Sequence, residues 1–549
     1  MERNQLLAIV VIVIIVGGAA GYFIFLAPPP QVDLIIVGTT DSVESSLDMA
    51  QSYDYFGWEM IISLSSGLVA IEPGSEAGAD DITPALATSW TTSTNGLEWD
   101  FTLRQGVLFP DGREFNATDV KYTFDRNCNL TGDGLWELDG PQLNMGYAGD
   151  GGIIDNVEII SEYVVRFNLQ IPFAPFLQLL SCAASYMVDR AVAPMGELVE
   201  YSSTANATLT PCALGPFLLE SWSRIGGSDE EIRLVRNPDY WNAGEGLPKT
   251  ETIVVKMYAT DTALASAMTS GEIDVAYRQL TAVQVEAFKA NTAVKVTEGI
   301  GAQIQYLCFN QDIYPYNETN IRRGLTAALN RTHVTESVFL GTFDPLYSMI
   351  PAGMAYHTDE FERYGDANYT YTIAMLAPFG YNATHKLEVN LYYESSGHYP
   401  QSQEQALVYE SDWEASGVID VTLTGLEWPS YRLARNDGTM PVFIYGWYPD
   451  FIDPDNYEFL PFASWLNLGY NSTYPAGGVA QYDLWQDGRS ASTNAGRETA
   501  YTDLQELQAE ECSVVPLWQS STVAVSKLNV QGIILDITVN WRHWLLYIG

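Results

Sequence analysis

The sequence has few basic residues. Its 549 residues include 26 Lys+Arg against 68 Asp+Glu, which gives a formal net charge of -42. A surface of this sign repels phosphate backbones, so we expect no nucleic-acid partner. The acidity itself has no single explanation, since high salt, an acidic exterior and simple depletion of lysine all fit it.

Cysteine and histidine are also scarce. Five cysteines are too few for a disulfide scaffold, and the five histidines have no metal-ligand spacing. The chain has no phosphate loop, no HExxH motif and no GxSxG motif. An acidic cluster at 450–456 lacks the glycine and the distant glutamate of a calcium loop. We therefore expect no metal, no cofactor and no enzyme. A hydrolase with paired carboxylates stays an alternative, because the fold sets their spacing.

Apolar residues are plentiful. The 47% hydrophobic and 12% aromatic content can build large cores, and the length suggests roughly three or four domain-sized units. Residues 263–269 predict a helix that ends near Gly271, and a strand through Ile273 and Tyr277 follows. Thr118 is a predicted cap for another helix. This mixture of strands and helices indicates an α/β or α+β body.

One long apolar run lies near the N-terminus. Residues 6–27 contain no charge and no proline, and as a helix they would span about 33 Å, close to the thickness of a bilayer core. We expect an uncleaved transmembrane anchor, with a cleaved signal peptide as the alternative. Residues 28–30 are three prolines and would form a short stiff spacer. The body would then be extracytoplasmic.

Eight Asn-x-Ser/Thr sequons agree with an exterior location and predict glycosylation sites. They are Asn116, Asn129, Asn206, Asn317, Asn330, Asn368, Asn382 and Asn471. Cys182 and Cys212 could pair in such a compartment, but the sequence cannot fix a pairing. Cys308 lies in an apolar run and is predicted to be a buried free thiol.

Eight segments in fixed order resemble one family. They are PALATSW (84–90), LRQGVLFPDG (103–112) with ATDV (117–120), LGPF (214–217), RNPDYW (236–241), SGEID (270–274), FN (309–310), IRRGL (321–325) with ALNR (328–331), and GWYPD (446–450) with DPDN (453–456). In this order they resemble the family 5 solute-binding proteins of ABC importers, the oligopeptide- and dipeptide-binding group. The resemblance covers nearly everything outside the predicted anchor.

The resemblance implies an α/β fold of two lobes joined by a hinge, with ligand bound between them. An extra domain would be inserted in the first lobe. The implied division is anchor and spacer 1–30, first lobe 31–66, 175–298 and 516–549, inserted domain 67–174, and second lobe 299–515. Closure of the lobes on the ligand would be the signal that a membrane permease recognises.

The same resemblance implies the ligand-binding residues. Asp450 matches the aspartate that captures a peptide's ammonium group, and Trp447 would form an apolar wall beside it. Arg435 matches the first of two arginines that can meet the peptide's carboxylate. The second position holds Ile444, which leaves the carboxylate anchor and peptide length open.

Two further residues belong to the predicted site. Trp428 lies in the stretch 427–447 that matches the family without a gap. His398 falls near a histidine of the oligopeptide binders, with an ordinary loop residue as the alternative. The 33 tyrosines and 14 tryptophans would line a roomy peptide cleft, but they would equally stack on sugar rings.

The resulting hypothesis is a monomeric, membrane-anchored, extracytoplasmic protein that captures peptides and delivers them to ABC permease subunits. Alternatives are an oligosaccharide or another small solute on the same scaffold, an extracellular hydrolase, and a surface receptor that does not transport.

Overall fold

The computed structural model describes residues 33–43, 46–52, 54–74, 81–132, 152–199, 213–226, 228–278, 280–469, 478–538 and 540–549. No helix among these residues is long and apolar enough to cross a bilayer. The predicted anchor, residues 6–27, lies outside them.

Nineteen strands are present in the described ranges. They are β1 (Leu34–Thr39), β2 (Val69–Ile71), β3 (Ile82–Pro84), β4 (Ala87–Thr92), β5 (Glu98–Leu103), β6 (Ile154–Ser161), β7 (Val164–Leu169), β8 (Phe217–Ile225), β9 (Ser228–Arg236), β10 (Thr252–Met257), β11 (Val275–Tyr277), β12 (Val294–Phe309), β13 (Asp344–Pro345), β14 (Leu387–Glu394), β15 (Ile419–Leu426), β16 (Val442–Trp447), β17 (Val514–Lys527), β18 (Val530–Gln531) and β19 (Tyr547–Ile548).

The α-helices alternate with these strands. They are α1 (Tyr55–Leu64), α2 (Ala117–Gly132), α3 (Phe176–Ser181), α4 (Asp261–Ser270), α5 (Ala282–Lys289), α6 (Thr319–Ala328), α7 (Arg331–Ser337), α8 (Tyr369–Leu376), α9 (Ser402–Glu414), α10 (Trp428–Asn436), α11 (Asp455–Glu458), α12 (Gly478–Ser490) and α13 (Asn494–Glu511).

One large sheet runs through both lobes. Its order is β15-β14-β16-β12-β17-β11-β1-β10-β9-β8, with β13 paired to β17. In the division that the resemblance implies, the half from β11 to β8 belongs to the first lobe and the half from β15 to β16 to the second. Only β12 and β17 extend into both halves, as an antiparallel pair. They are therefore the strands that join the two halves of the sheet.

The pairing of β12 with β17 is irregular where the lobes meet. Residues 294–300 pair with 521–527, residues 304–308 pair with 514–519, and the register shifts between them. A Cβ on Gly301 would lie 2.7 Å from the Ser520 carbonyl oxygen, and one on Gly299 would lie 2.6 Å from that of Leu535. Glycine is needed at both positions because the neighbouring backbones approach so closely.

A separate four-stranded antiparallel sheet has the order β4-β5-β7-β6. Four phenylalanines fill its core together with α2 and α3: Phe101, Phe124, Phe167 and Phe176. The rings of Phe124 and Phe167 meet edge to face, with centroids 4.8 Å apart. This sheet lies within the segment that the resemblance assigns to an inserted domain. The division into domains stays a prediction.

Local helix signals explain some boundaries and not others. Thr260 caps α4 by accepting a bond from the Ala263 amide, and Gly271 ends that helix in the left-handed conformation. The predicted stop at Gly271 is confirmed. The predicted cap at Thr118 is wrong, because the helix begins earlier, at Ala117. The Asn116 side chain instead accepts the bond from the Thr118 amide.

The predicted thiol at Cys308 is confirmed, since it is free and buried in β12. Cys182 is also a free buried thiol, and Cys212 lies outside the described residues.

Candidate functional site

A small cavity lies between the two lobes. The first lobe lines it from α1 and from a C-terminal segment near Trp541, and the second lobe lines it from the loop that follows β16. Its volume is about 40 Å³. A water molecule needs roughly 10–15 Å³ of such space, so the cavity has room for a few waters. Tyr55 on one side of the cavity contacts Tyr448 and Pro449 on the other, so the two sides of the cleft touch in this structure.

Asp450 lies on the second-lobe wall of this cavity, and the neighbouring Asn456 holds its loop in place. The Asn456 carbonyl oxygen accepts bonds from the Asp450 amide at 2.8 Å and from Trp447 Nε1 at 3.1 Å. The Asn456 side-chain amide donates to Asp450 Oδ2 at 3.3 Å. One side chain therefore fixes both predicted ligand-binding residues of the GWYPD segment.

Contacts across the cleft hold the lobes together. The Tyr55 hydroxyl of α1 donates to the Pro449 carbonyl oxygen at 2.9 Å. The ring of Tyr55 also packs on that of Tyr448, with centroids 4.7 Å apart. Burial raises the pKa of Tyr55 well above its ordinary value, so the hydroxyl stays protonated and can donate. Phe451 meets Phe173 edge to face, with centroids 6.3 Å apart.

A row of aromatic side chains extends from Trp447 across the second lobe. Trp447 stacks with Trp465 at 5.8 Å between centroids, and Trp465 contacts Tyr445 at 5.7 Å. Tyr445 contacts Trp428, which stacks on His398 at 3.6 Å. The row brings three of the five predicted residues into one continuous surface.

Arg435 lies under the middle of this row. Its guanidinium carbon is 4.7 Å from the ring centroid of Trp465 and 5.1 Å from that of Tyr445. Nη1 donates to the Tyr445 hydroxyl, and Nη2 donates to Asn436 Oδ1 at 2.7 Å. In the part of the chain that the structure describes, no carboxylate forms an ion pair with Arg435. The arginine is thus held in place with its charge uncompensated by an acid.

His398 lies at the far end of the row, at the start of the loop after β14. Burial against its neighbours lowers its pKa, with Glu394 opposing the shift and Arg432 adding to it. A neutral imidazole stacked on Trp428 is the form that this site favours at neutral pH. It can offer a hydrogen bond, but it is a weak partner for a carboxylate.

Two carboxylates of the acidic cluster at 450–456 are paired with arginines. Arg497 Nη2 lies 2.5 Å from Asp453 Oδ1, and Arg489 Nε lies 3.3 Å from Asp455 Oδ1. Arginines of α12 and α13 therefore neutralise both aspartates. Over the described residues, no group of three or more His, Cys, Asp and Glu side chains could hold a metal ion.

The predicted glycosylation sites differ in their surroundings. Asn206 and Asn471 lie outside the described residues. Asn330 and Asn368 cap α7 and α8 through their side-chain oxygens. Asn382 is exposed. Glycosylation of the eight asparagines stays a prediction.

Sequence reasoning missed Tyr55, Glu59 and Asn456. The first two line the cavity from α1, far from the GWYPD segment in the chain. No local motif could have paired them with Asp450. Asn456 was visible as the last residue of DPDN, but its role as a support for Asp450 needed the fold.

Comparison with known proteins identifies the scaffold. A family model described as bacterial extracellular solute-binding proteins, family 5 Middle, matches residues 81–464. The chain belongs to this family. The prediction of a binding protein that is not an enzyme is therefore confirmed.

Relatives and solved structures agree with this membership. The dipeptide-binding protein of Escherichia coli K12 is 24% identical over 470 residues, which cover 84% of this chain and 85% of the relative. The Helicobacter pylori periplasmic binding protein DppA in complex with the peptide STSA has a TM-score of 0.72 at 23% identity, over 94% of this chain and 98% of that one.

A third likeness concerns a different ligand. NikA from Brucella suis in complex with Fe(III)-EDTA has a TM-score of 0.79 at 20% identity. The match covers 94% of this chain and 100% of NikA. At such identities the structures show the fold alone. The predicted two-lobed α/β fold of periplasmic binding proteins is thereby confirmed.

Proposed function

We propose that the protein captures peptides between its lobes and delivers them to the permease subunits of an ABC importer. The observation that carries the proposal is the Asp450 carboxylate on the wall of the interlobe cavity, braced by Asn456. A free peptide presents an ammonium group, which is costly to enclose unless an acid meets it. Several relatives carry names that specify dipeptide or tripeptide binding.

Arg435 is proposed to meet the other end of the peptide. Its guanidinium group is buried among aromatic rings and has no acidic partner among the described residues. A peptide carboxylate would supply the missing charge through a bidentate contact. The aromatic row with Trp447, Trp428 and His398 would lie along the peptide between the two ends.

Opening of the cleft is required for entry, since Tyr55 on one side contacts Pro449 and Tyr448 on the other. We propose that the lobes rotate about β12 and β17 and that ligand stabilises the closed form. The proposed division keeps 31–66, 175–298 and 516–549 in the first lobe, 67–174 as an inserted domain and 299–515 in the second lobe. Residues 6–27 are proposed to anchor the protein, as a monomer, to the outer side of the membrane.

Titration calorimetry with Ala-Ala and Ala-Ala-Ala tests the proposal. We expect one of them to bind the wild-type protein and Asp450→Asn to weaken that binding about 10- to 100-fold. Asp437→Asn is the matched control, because it removes an exposed carboxylate at the end of α10. Amidation of the peptide's C-terminus should weaken binding to the wild type and have little effect on Arg435→Met.

Unchanged affinity in Asp450→Asn would remove the ammonium model. The aromatic row favours an oligosaccharide as the second candidate, because rings such as Trp428 and Trp447 stack on sugars. Cello- and malto-oligosaccharides carry no ammonium group. Binding of either, equal in the wild type and Asp450→Asn, would replace the peptide by a sugar on the same scaffold.

A further inference from the structure

A second carboxylate lines the cleft cavity, on the wall opposite Asp450. Glu59 belongs to α1 of the first lobe, and its residue is only 5% exposed. It nevertheless faces the cavity together with Trp58 and Tyr55. The proposed binding of a peptide's α-ammonium group by Asp450 gives Glu59 no role.

One oxygen of Glu59 is engaged and the other is not. Oε2 lies 2.8 Å from Arg278 Nη2, which also lies 2.8 Å from Asp41 Oδ2. The nearest basic group to Oε1 is His543 Nε2, at 3.7 Å. That nitrogen is fully buried and has no hydrogen-bond partner in the described chain. Oε1 is therefore the part of Glu59 that a ligand can reach.

The charges around Glu59 leave an excess of acid. The first lobe contributes Asp41, Arg278, the neutral Tyr277 and His543, and also Arg542, which pairs with Asp536 at 2.8 Å. The second lobe contributes Tyr448 near Arg278 and Asp450 in the cavity wall. Burial lowers the pKa of His543 to about 3, so this histidine is neutral. Arg278 contacts two carboxyl groups, those of Asp41 and Glu59, and Asp450 adds a third on the second-lobe side of the cavity. A cation that enters the closed cleft thus meets a surplus of negative charge.

The protonation of Glu59 responds to such a cation. Burial raises its pKa to about 8, with Arg278 opposing the shift and Asp41 adding to it. Without ligand, the side chain is mostly protonated at neutral pH. A positive charge close to Oε1 favours the ionised form and lowers this pKa.

We propose that Glu59 binds a second positive charge on the ligand, so that the protein prefers peptides whose first residue is lysine or arginine. The inference rests on the proposed function, in which Asp450 takes the α-ammonium group. A lysine side chain carries its ammonium group on a flexible four-carbon stem, which lets one residue reach both walls of the cleft. The ligand then bridges the two lobes through its own charges.

Matched peptides test the proposal. Lys-Ala and norleucine-Ala differ in the terminal charge of the first side chain but hardly in its length, and Lys-Ala-Ala and norleucine-Ala-Ala repeat the pair for longer ligands. We expect the lysine peptide to bind the wild-type protein about tenfold more tightly at pH 7.5. The ratio should shrink toward pH 5.5, where ionising Glu59 costs more. Titration of the α-amino group affects both peptides alike and cancels in the ratio.

Glu59→Gln should bring this ratio close to one while norleucine peptides bind nearly as before. Glu458→Gln is the control, because it removes a buried carboxyl group of the second lobe, with a similarly raised pKa, outside the cavity. The proton that Glu59 loses on binding the lysine peptide can be measured in the wild-type protein, without any variant. Calorimetry of the wild type at pH 7 in phosphate and in Tris should show about one more proton released with the lysine peptide than with its norleucine partner.

Equal binding of lysine and norleucine peptides by the wild type would overturn the Glu59 subsite and leave the proposed function standing. A lysine preference that persists in Glu59→Gln, or that comes without extra proton release, would also overturn it. Failure of all four peptides, and of Ala-Ala and Ala-Ala-Ala, would overturn the proposed function together with the inference.

Discussion

At the scale of single residues, the site depends on Asn456. Its side chain accepts from Trp447 and from the Asp450 amide, and it donates to the Asp450 carboxylate. An amide supplies an acceptor and donors at once, which a carboxylate cannot do at neutral pH. The identity of this residue therefore affects the surroundings of the Asp450 carboxylate as well as its position.

Asn456→Asp keeps the shape and the acceptor but places a second carboxylate beside Asp450. Two carboxylates that share a site raise the pKa of one of them. We expect peptide affinity to fall about tenfold at pH 7, and the acid limb of the affinity profile to move to higher pH. Calorimetry with the bound alanine peptide between pH 4.5 and 7.5 measures both effects. A weaker affinity with an unmoved acid limb would assign Asn456 a purely structural role.

Glu458 gives a prediction about stability. It is fully buried in α11, Gln508 donates to its Oε2, and its Oε1 has no hydrogen-bond partner in the described chain. Burial raises its pKa from 4.5 to about 8, with the Gln508 bond opposing the shift and Asp455 adding to it. The folded state thus holds this proton between pH 4.5 and 8, where the unfolded state releases it.

The raised pKa of Glu458 therefore contributes to the free energy of unfolding in full below pH 4.5. This contribution is lost as the pH rises through 8. Glu458→Gln should remove this loss. We expect the variant to gain stability relative to the wild type between pH 5 and 8.5, by on the order of 2 kcal/mol or more. Urea unfolding at both pH values measures the difference. A difference between the two proteins that does not vary with pH would contradict the buried-proton account.

The sequence predicts part of this site for a physical reason. Trp447 and Asp450 belong to one short motif, so their closeness follows from the chain itself. Tyr55 and Pro449 are 394 residues apart and meet only because the lobes close. Glu59 likewise has no motif, and its importance comes from burial beside a cavity. Cross-cleft partners of this kind have no local signal.

At the scale of elements, β12 and β17 have the central role. Each strand is long enough to enter both lobes, and their irregular pairing lies where the lobes meet. Gly301 is needed there because a Cβ would lie 2.5 Å from Ser520 Oγ and 2.7 Å from its carbonyl oxygen. The backbone oxygen cannot move aside as a flexible side chain could.

Gly301→Ala should therefore push the two strands apart at the crossing. We expect a loss of about 1–3 kcal/mol in the free energy of unfolding, as for other overpacked sites. Peptide affinity should also change, because the closed form uses this crossing. Urea unfolding and calorimetry with the bound peptide measure the two effects.

Gly196→Ala is the control, since a Cβ there meets no atom within 4 Å. If the two variants unfold alike, close approach at the crossing does not explain Gly301.

Element boundaries show which signals a sequence carries. The end of α4 could be predicted, since Gly271 is the residue that takes the left-handed turn. The start of α2 could not, because Asn116 and Thr118 are both good caps and only the fold selects between them. The pairing of β12 with β17 joins segments some 200 residues apart, and no local pattern specifies it.

At the scale of the whole molecule, the two lobes close around a cleft that is itself rich in acid. Asp450 faces the cavity from one lobe and Glu59 from the other, while the chain carries a net charge of -42. Bringing like charges together opposes closure unless a proton or a ligand cation offsets them. A cationic ligand therefore has an effect on closure that a neutral ligand of the same shape lacks.

The excess of acid also opposes the folded state as a whole. At pH 7 the negative charges repel one another, and added salt screens this repulsion, with a Debye length that falls from about 30 Å at 10 mM to a few Å near 1 M. We expect the melting temperature to rise by on the order of 2–5 °C between 10 mM and 500 mM NaCl. Differential scanning calorimetry at pH 7 measures this shift.

The control for this effect is the same pair of salt concentrations near pH 4.2, the pI that the composition gives. There the net charge is close to zero, so screening has little repulsion to remove and the melting temperature should hardly change. Salt acting through hydration of apolar surface would raise it at both pH values alike. Equal shifts at pH 7 and pH 4.2 would therefore show that charge repulsion does not limit the stability of this protein.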